Sequence, residues 1–306
     1  MTTLNRRNLL IGGTALPTAL AMGRSALAAG HEEDLQGRRA RSFRIGDMDV
    51  TTLLSGTAQN DDPQKIFAAE VPVAEFEAVS TENFLSVDSL QFYYTPTLVR
   101  AGDATILFDT GLSAESLAGS LGDAGVGADE ITHVVITHMH PDHIGGMTHE
   151  DGTLAYPNAA YLTGAVEFDA AASGENQIFD VKVRPFADRF EFLDDGAALA
   201  PGVTAMAAFG HTPGHMAYRL ESGGQQVLLV ADLVGHYVWS FAYPEWTMLY
   251  DADKDQANAT RRRVLDLLAT DKIPMIGYHM PFPAAGFVET RGAGFRFVPV
   301  SYQMMG

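Results

Sequence analysis

Between Thr137 and His143 the chain reads Thr-His-Met-His-Pro-Asp-His, which sets three imidazoles and one carboxylate within six residues. Imidazole nitrogen and carboxylate oxygen suit zinc, and iron, manganese and cobalt accept them too. The stretch follows an apolar run, Val134-Val135-Ile136. Such a run ending in a polar, proline-containing loop reads as a buried strand delivering its C-terminal end to a site. His138 and His140 alternate with Met139, so in an extended segment both rings point to one side. Asp142 and His143 follow Pro141, which bends the chain and frees them from that direction. One short loop can thus offer two nitrogens to one ion, and an oxygen and a nitrogen to a second. A solvated polar loop is the bland alternative, and four donors at this spacing argue against it.

Three later segments each bring a donor to the end of an apolar run. Gly210-His211-Thr212-Pro213-Gly214-His215 follows a strand ending at Ala208. Asp232 comes just after Val227–Val230, and His279 closes Met275–Tyr278. A lone strand-end histidine is more often structural. The repetition of the pattern makes His211, Asp232 and His279 candidate ligands, because strand ends place donors on a rigid support. His215 reads as a residue behind the ligands. His133 is expected to pack and His149 to sit in a solvated loop.

Composition narrows the function. A chain of 306 residues with 46% apolar residues is globular and long enough for one large domain or two small ones. A formal charge of −18 argues against nucleic acid as a partner. The absence of cysteine excludes disulfides, thiolate ligands and a cysteine nucleophile. At the N-terminus, Arg6-Arg7 precede a short Gly- and Ala-rich apolar stretch, and Ala26-Leu27-Ala28 offers small residues for cleavage. Residues 1–28 therefore resemble a twin-arginine export signal, which implies a periplasmic protein. The stretch is too short to span a bilayer comfortably, so no stable membrane span is expected.

Residues 29–40 read as a flexible lead-in, and 41–306 as one domain. A Gly46-Asp47 turn predicts a hairpin over 42–53, and residues 63–80 predict a helix or irregular lid. Strands are predicted over 92–99, 105–108, 134–137, 159–162, 190–193, 203–208, 216–220, 227–230 and 274–278. Helices are predicted over 113–121, capped by Ser113, and over 255–268, with Val264, Leu265 and Leu268 on one face and arginines on another. Strands with interspersed helices predict two packed sheets with helices outside.

The order His138-x-His140-x-Asp142-His143, Gly210-His211-Thr212, Asp232 and His279 resembles the metallo-β-lactamase superfamily, as does the turn Asp109-Thr110-Gly111. The resemblance implies an α/β fold, the αββα four-layer sandwich, with metals at one edge of its sheets. It places His138, His140 and His211 on one divalent ion and Asp142, His143 and His279 on a second, with Asp232 bridging. Zinc is the first expectation, with manganese, cobalt or iron as alternatives. The bridging acid sets the chain apart from true β-lactamases. Ala231-Asp232-Leu233, Asp251-Ala252-Asp253, His279-Met280-Pro281-Phe282-Pro283 and the tail from Gly294 to Val300 are similar to methyl parathion hydrolase and its lactonase and arylesterase relatives. Two departures stand out: a shorter segment between Gly164 and Arg189, and Gly235-His236-Tyr237 after the bridging acid.

The implied activity is hydrolysis of a small ester, lactone or phosphoester by a metal-bound hydroxide, since coordination lowers the pKa of water from 15.7 to about 7. Asp142 and Asp232 would orient the nucleophile, and His236 or Tyr237 would protonate the leaving group. Tyr237, Trp239, Phe241, Tyr243, Trp246 and Phe282 could line a pocket for a small, neutral, apolar substrate, or equally form core or a homodimer interface. The competing readings are a metal-dependent oxidoreductase, a thioester hydrolase of the same fold, and a metal-binding protein without catalysis.

Overall fold

The structure, a computed structural model, describes residues 39–300. The expected export signal and the lead-in up to residue 38 lie outside the described residues. In chain order the first half runs β1 (Ala40–Ile45), β2 (Met48–Leu53), β3 (Gly56–Asp61), α1 (Pro63–Phe67), α2 (Val73–Glu82), β4 (Ser89–Tyr94), β5 (Thr97–Ala101) and β6 (Ala104–Phe108). It continues with α3 (Ala114–Asp123), β7 (His133–Val135), α4 (Pro141–Ile144), β8 (Ala160–Gly164), α5 (Ala165–Ser173), α6 (Gln177–Lys182) and β9 (Phe190–Leu193). The second half runs β10 (Ala198–Ala200), β11 (Val203–Ala207), β12 (Met216–Ser222), β13 (Gln225–Ala231), α7 (Trp239–Ala242), α8 (Lys254–Asp271), β14 (Met275–Gly277), β15 (Ala285–Arg291) and β16 (Gly294–Pro299).

Two sheets of seven strands face each other, in the orders β1-β2-β5-β6-β7-β8-β9 and β10 through β16. Val50, Val99, Ile106 and Val135 from one sheet meet Val203, Tyr218, Leu220 and Leu229 from the other, all buried. Each such side chain contributes roughly 1.5–3 kcal/mol when fully withdrawn from water. Outside the first sheet, Leu107, Val134 and Ile136 pack under Leu117 and Leu121 of α3 and Phe179 of α6. On the second sheet, α8 buries Val264, Leu265 and Leu268. These layers make the αββα sandwich.

One expected strand divides in two. Residues 92–99 do not run straight: β4 pairs with β3 in a separate two-stranded ribbon, and β5 crosses into the first sheet. Pro96 sits at the break and cannot donate to a ladder. The ribbon packs with α1 and α2 on Trp239, Trp246 and Met248 as a third apolar cluster over one end of the sandwich. Strands β3, β15 and β16 and helices α5 and α6 had no clear sequence signal. No helix among the described residues is long and apolar enough to cross a membrane.

Candidate metal centre

Strands β6, β7 and β8 are mutually parallel, as are β13 and β14 in the opposite sheet. Their C-terminal ends lead to Asp109, His138, Glu167, Asp232 and His279. Carboxyl ends of parallel strands are where open α/β sheets gather ligands. Pro141 opens α4 at its first position, where its missing N–H costs nothing, and this single turn swings Asp142 and His143 away from His140. Before Asp232 the β13–β14 ladder shifts register, and Ala231 adopts φ 44°. A non-glycine residue held there stores strain and re-aims the following side chain.

His138 Nε2 lies 3.0 Å from His140 Nδ1, which lies 3.1 Å from His211 Nε2. Asp232 Oδ2 is 3.7 Å from His138 Nε2 and 3.4 Å from His211 Nε2. A tetrahedron with metal–nitrogen bonds near 2.05 Å has edges of about 3.3 Å, so the four atoms have the spacing of one ion's ligands. Asp142, His143 and His279 form a second group. There Asp142 Oδ2 is 3.5 Å from the Nε2 of both imidazoles. Asp232 touches this group as well: Oδ1 is 3.2 Å from His143 Nε2, and Oδ2 is 3.0 Å from His279 Nε2. His143 Nε2 and Asp232 Oδ1 are buried without any hydrogen bond among the described residues. Buried polar atoms left so are rare unless something else satisfies them. The donors fit a pair of divalent ions with Asp232 between.

The far ring nitrogens are held from outside. His143 Nδ1 meets Asp109 Oδ2 at 2.8 Å, and Asp109 accepts from the Thr137 amide and hydroxyl. His211 Nδ1 meets Asp251 Oδ1 at 2.9 Å, and Arg261 donates to Asp251 Oδ2 at 2.8 Å. His279 Nδ1 donates to the Tyr93 carbonyl. Such partners fix the tautomer that leaves the inner nitrogen free for an ion. Charge follows the same plan. Burial works against a proton on His211, but hydrogen bonds to Asp232 and Asp251 outweigh it and push its pKa up to about 9. On Asp232, burial pulls the pKa up, and the imidazoles of His279, His143 and His138 outweigh it, holding the carboxyl well below its usual range. For His140, burial and then the charge of His211 bring the pKa down to about 3.

All seven expected ligands converge. The two expected acids after Asp232 do not join them. His236 is buried, its Nδ1 accepts from the Val238 and Trp239 amides, and its ring stacks on Trp239 at 3.9 Å. Burial brings its pKa down to about 3, so it stays neutral and braces the loop. Tyr237 packs half-buried against the main core and does not line the cavity beside the ligands. Of the two readings left open for the aromatic cluster, core holds for Trp239, Phe241 and Trp246, and none of its six residues lines the cavity. The cavity, about 720 Å³, is lined instead by Phe92, Tyr94, Leu112, Ile178, Met248 and Tyr250, with His140, Asp142, Asp232 and His279 among its polar wall. His215 lies behind the centre as expected, donating from Nδ1 to the Ala208 carbonyl and accepting the Asp232 amide at Nε2. Sequence reasoning missed Tyr94, Glu167 and Arg261. Of these, Tyr94 alone left a local sign, as one of three successive aromatics at the end of β4.

The sequence profile of the metallo-beta-lactamase superfamily matches residues 92–275, more than half of the chain. The chain belongs to the metallo-beta-lactamase superfamily. Among curated proteins, an N-acyl homoserine lactonase of Bacillus thuringiensis is 26% identical over 109 residues, 35% of this chain and 40% of that protein. Anti-Pycsar protein Apyc1 of Paenibacillus sp. (strain J14) is 37% identical over 57 residues, 19% of this chain and 22% of its own length. The matches thus span less than half of these curated relatives. The solved structure of AidC, a dizinc quorum-quenching lactonase in complex with a product, superposes with a TM-score of 0.80 at 27% identity, covering 86% of this chain and 98% of that one. Hydrolase AbOPH, with a TM-score of 0.76 at 23% identity over 87% of this chain and 98% of its own, shares the fold. Within the superfamily, the likenesses to AidC and to the Bacillus thuringiensis lactonase support the lactonase branch.

Proposed function

We propose that the chain is a dizinc lactonase acting on a small neutral lactone with an apolar substituent. The observation that carries the reading is a seven-donor centre, joined through Asp232, four of whose donors open on a cavity with an apolar face of Phe92, Leu112, Ile178, Met248 and Tyr250 beside the polar Glu115, Glu150 and Lys182. Burial at about 25 cal/mol per Å² lets such walls hold an acyl or aryl group without charges. The dizinc lactonase AidC supports the choice of metal and of reaction.

When bound, two divalent ions lower the pKa of coordinated water toward neutrality and polarise the electrophile's oxygen. Asp142, its side chain 21% exposed, faces the cavity and can accept a proton from the attacking water. Tyr94 brings a phenol to the same wall, free of hydrogen bonds among the described residues. Burial, with Asp142, Tyr250 and Asp232 adding, pushes its pKa up to about 12, so it remains a donor toward a developing oxyanion. The net change is addition of water across one ester bond: hydroxyl to the acyl carbon, proton to the ring oxygen. The product is a hydroxy acid.

The test compares catalytic efficiency on one zinc-loaded preparation for an acylated lactone, an aryl ester, a glutathione thioester and a cephalosporin. The lactone is expected to lead. A thioester or cephalosporin leading by a large factor would overturn the lactonase reading.

A further inference from the structure

Glu167 is outside the candidate ligand set, yet it touches both loops that carry one half of it. Its carboxyl lies in α5 just after β8 and is 2% exposed. Oε1 accepts the Met139 amide at 2.8 Å, between His138 and His140. Oε2 accepts the Thr212 hydroxyl at 2.6 Å and the Gly214 amide at 3.1 Å, directly after His211. The Met139 peptide is held from its other end too, because Asn176 Nδ2 donates to the Met139 carbonyl at 2.9 Å. Gly214 lets the loop come this close: a Cβ there would lie 2.1 Å from the Glu167 backbone nitrogen. Deeper in the fold, a single backbone bond from Met216 to Thr137 joins the same two segments. At the level of the imidazoles, the link is the Glu167 carboxylate.

We propose that Glu167 is a positioning residue that clamps the His138–His140 loop to the His211 loop, setting the nitrogen separations one ion requires. The inference rests on the dinuclear reading and goes beyond it by making the two ion sites differ in what holds them. An ordinary buried acid would stabilise the fold without regard to which ion is bound. A clamp governs one ion and spares the other, since His143 hangs on Asp109 and His279 on the Tyr93 carbonyl, and Asp142 is placed by the turn it shares with His143. Glu167→Gln keeps the shape and the bond to Met139, but turns an amide group toward the Gly214 N–H, where two donors face each other. Glu167→Ala removes every bond, and Gly214→Ala separates the partners sterically.

The experiment reconstitutes wild type and the three variants with zinc, counts ions per chain and follows their release into excess chelator. Wild type is expected to hold two ions. Each variant is expected to release one ion about 10–100-fold faster, with the second unchanged and far-ultraviolet circular dichroism preserved. In a His279→Ala background, which retains the ion of the other set, adding Glu167→Gln should speed release of that remaining ion by the same factor, about 10–100-fold. Release at the wild-type rate in Glu167→Gln overturns the proposal, as does equal acceleration of both ions. If Glu167→Ala fails to fold, Glu167→Gln still decides. Wild type saturating at one ion sinks the dinuclear reading alone, because faster release of that ion by Glu167→Gln still judges the clamp. Uptake of no ion by wild type sinks both.

Discussion

The two halves of the centre are built differently. His138, His140 and His211 come from two loops about seventy residues apart in sequence; the buried Glu167 carboxylate ties those loops together, and Asp251, itself held by Arg261, braces His211. Asp142 and His143 arrive together on one helical turn, and only His279 joins them from afar. On balance the first half is also deeper: His138 and His211 side chains are 0% and 3% exposed with His140 half-buried, against 21% for Asp142 and 9% for His279 with His143 at 0%. A site assembled from distant loops needs a scaffold of its own, whereas a local turn places its donors by backbone geometry. Asp142 and His279 face the cavity together with His140, while His138, His211 and His143 are buried.

Asp232 belongs to both halves, so its loss is expected to erase the distinction. Asp232→Ala should abolish uptake of both ions and cut turnover by about 10³-fold or more, the scale on which a preorganised charge acts. Elemental analysis and kinetics on the same sample check this, and retention of two ions would remove Asp232 from its bridging place. Arg261→Met acts on the deep half through the scaffold. It leaves Asp251 buried without its cation and the Leu233 and Pro244 carbonyls without their donor. Breaking such a buried pair costs about 3–5 kcal/mol. Chemical denaturation should show that loss, with release of the deep ion accelerated more than that of the shallow one.

Protons distinguish the halves from their assembled state. In protein stripped of metal by a chelator, His143, His211 and His279 hold their protons more tightly than ordinary histidines because carboxylates face them. Raised pKa values stabilise the fold fully below about pH 6.5, and that contribution fades as pH climbs through about 9, the value for His211. The His211 share is on the order of 3 kcal/mol. Stripped protein is thus expected to melt lower at pH 9.5 than at pH 6.5, while zinc uptake strengthens over the same range because ions displace protons. Equal melting at the two pH values would contradict the assignment. The mildest change is Tyr94→Phe, expected to lower kcat about tenfold, or about 1.4 kcal/mol, with both ions retained. Loss of an ion instead would give Tyr94 a structural part.

Much of the centre was readable because its signals are local. The spacing from His138 to His143 fixes donor types within one loop, and apolar runs before Asp232 and His279 mark strands that deliver them. Periodicity is a property of neighbouring residues, so the hairpin at Gly46-Asp47 and the long helix α8 also followed from it. What escaped was whatever depended on neighbours distant in the chain. Glu167 stands in α5, a stretch without a clear sequence signal, and Arg261 sat among the arginines assigned to the polar face of α8, yet it is 1% exposed. Neither shows in sequence, because a buried carboxylate or guanidinium is tolerable only when partners from other segments meet it. His236 failed the opposite way: close to Asp232 in sequence, it turned into the apolar cap against Trp239 and Phe67. The sequence determined which donors exist and which strands carry them. Tertiary packing decided which polar side chains brace those donors and which residues wall the cavity, since both depend on contacts that close only when the two sheets and their helices come together.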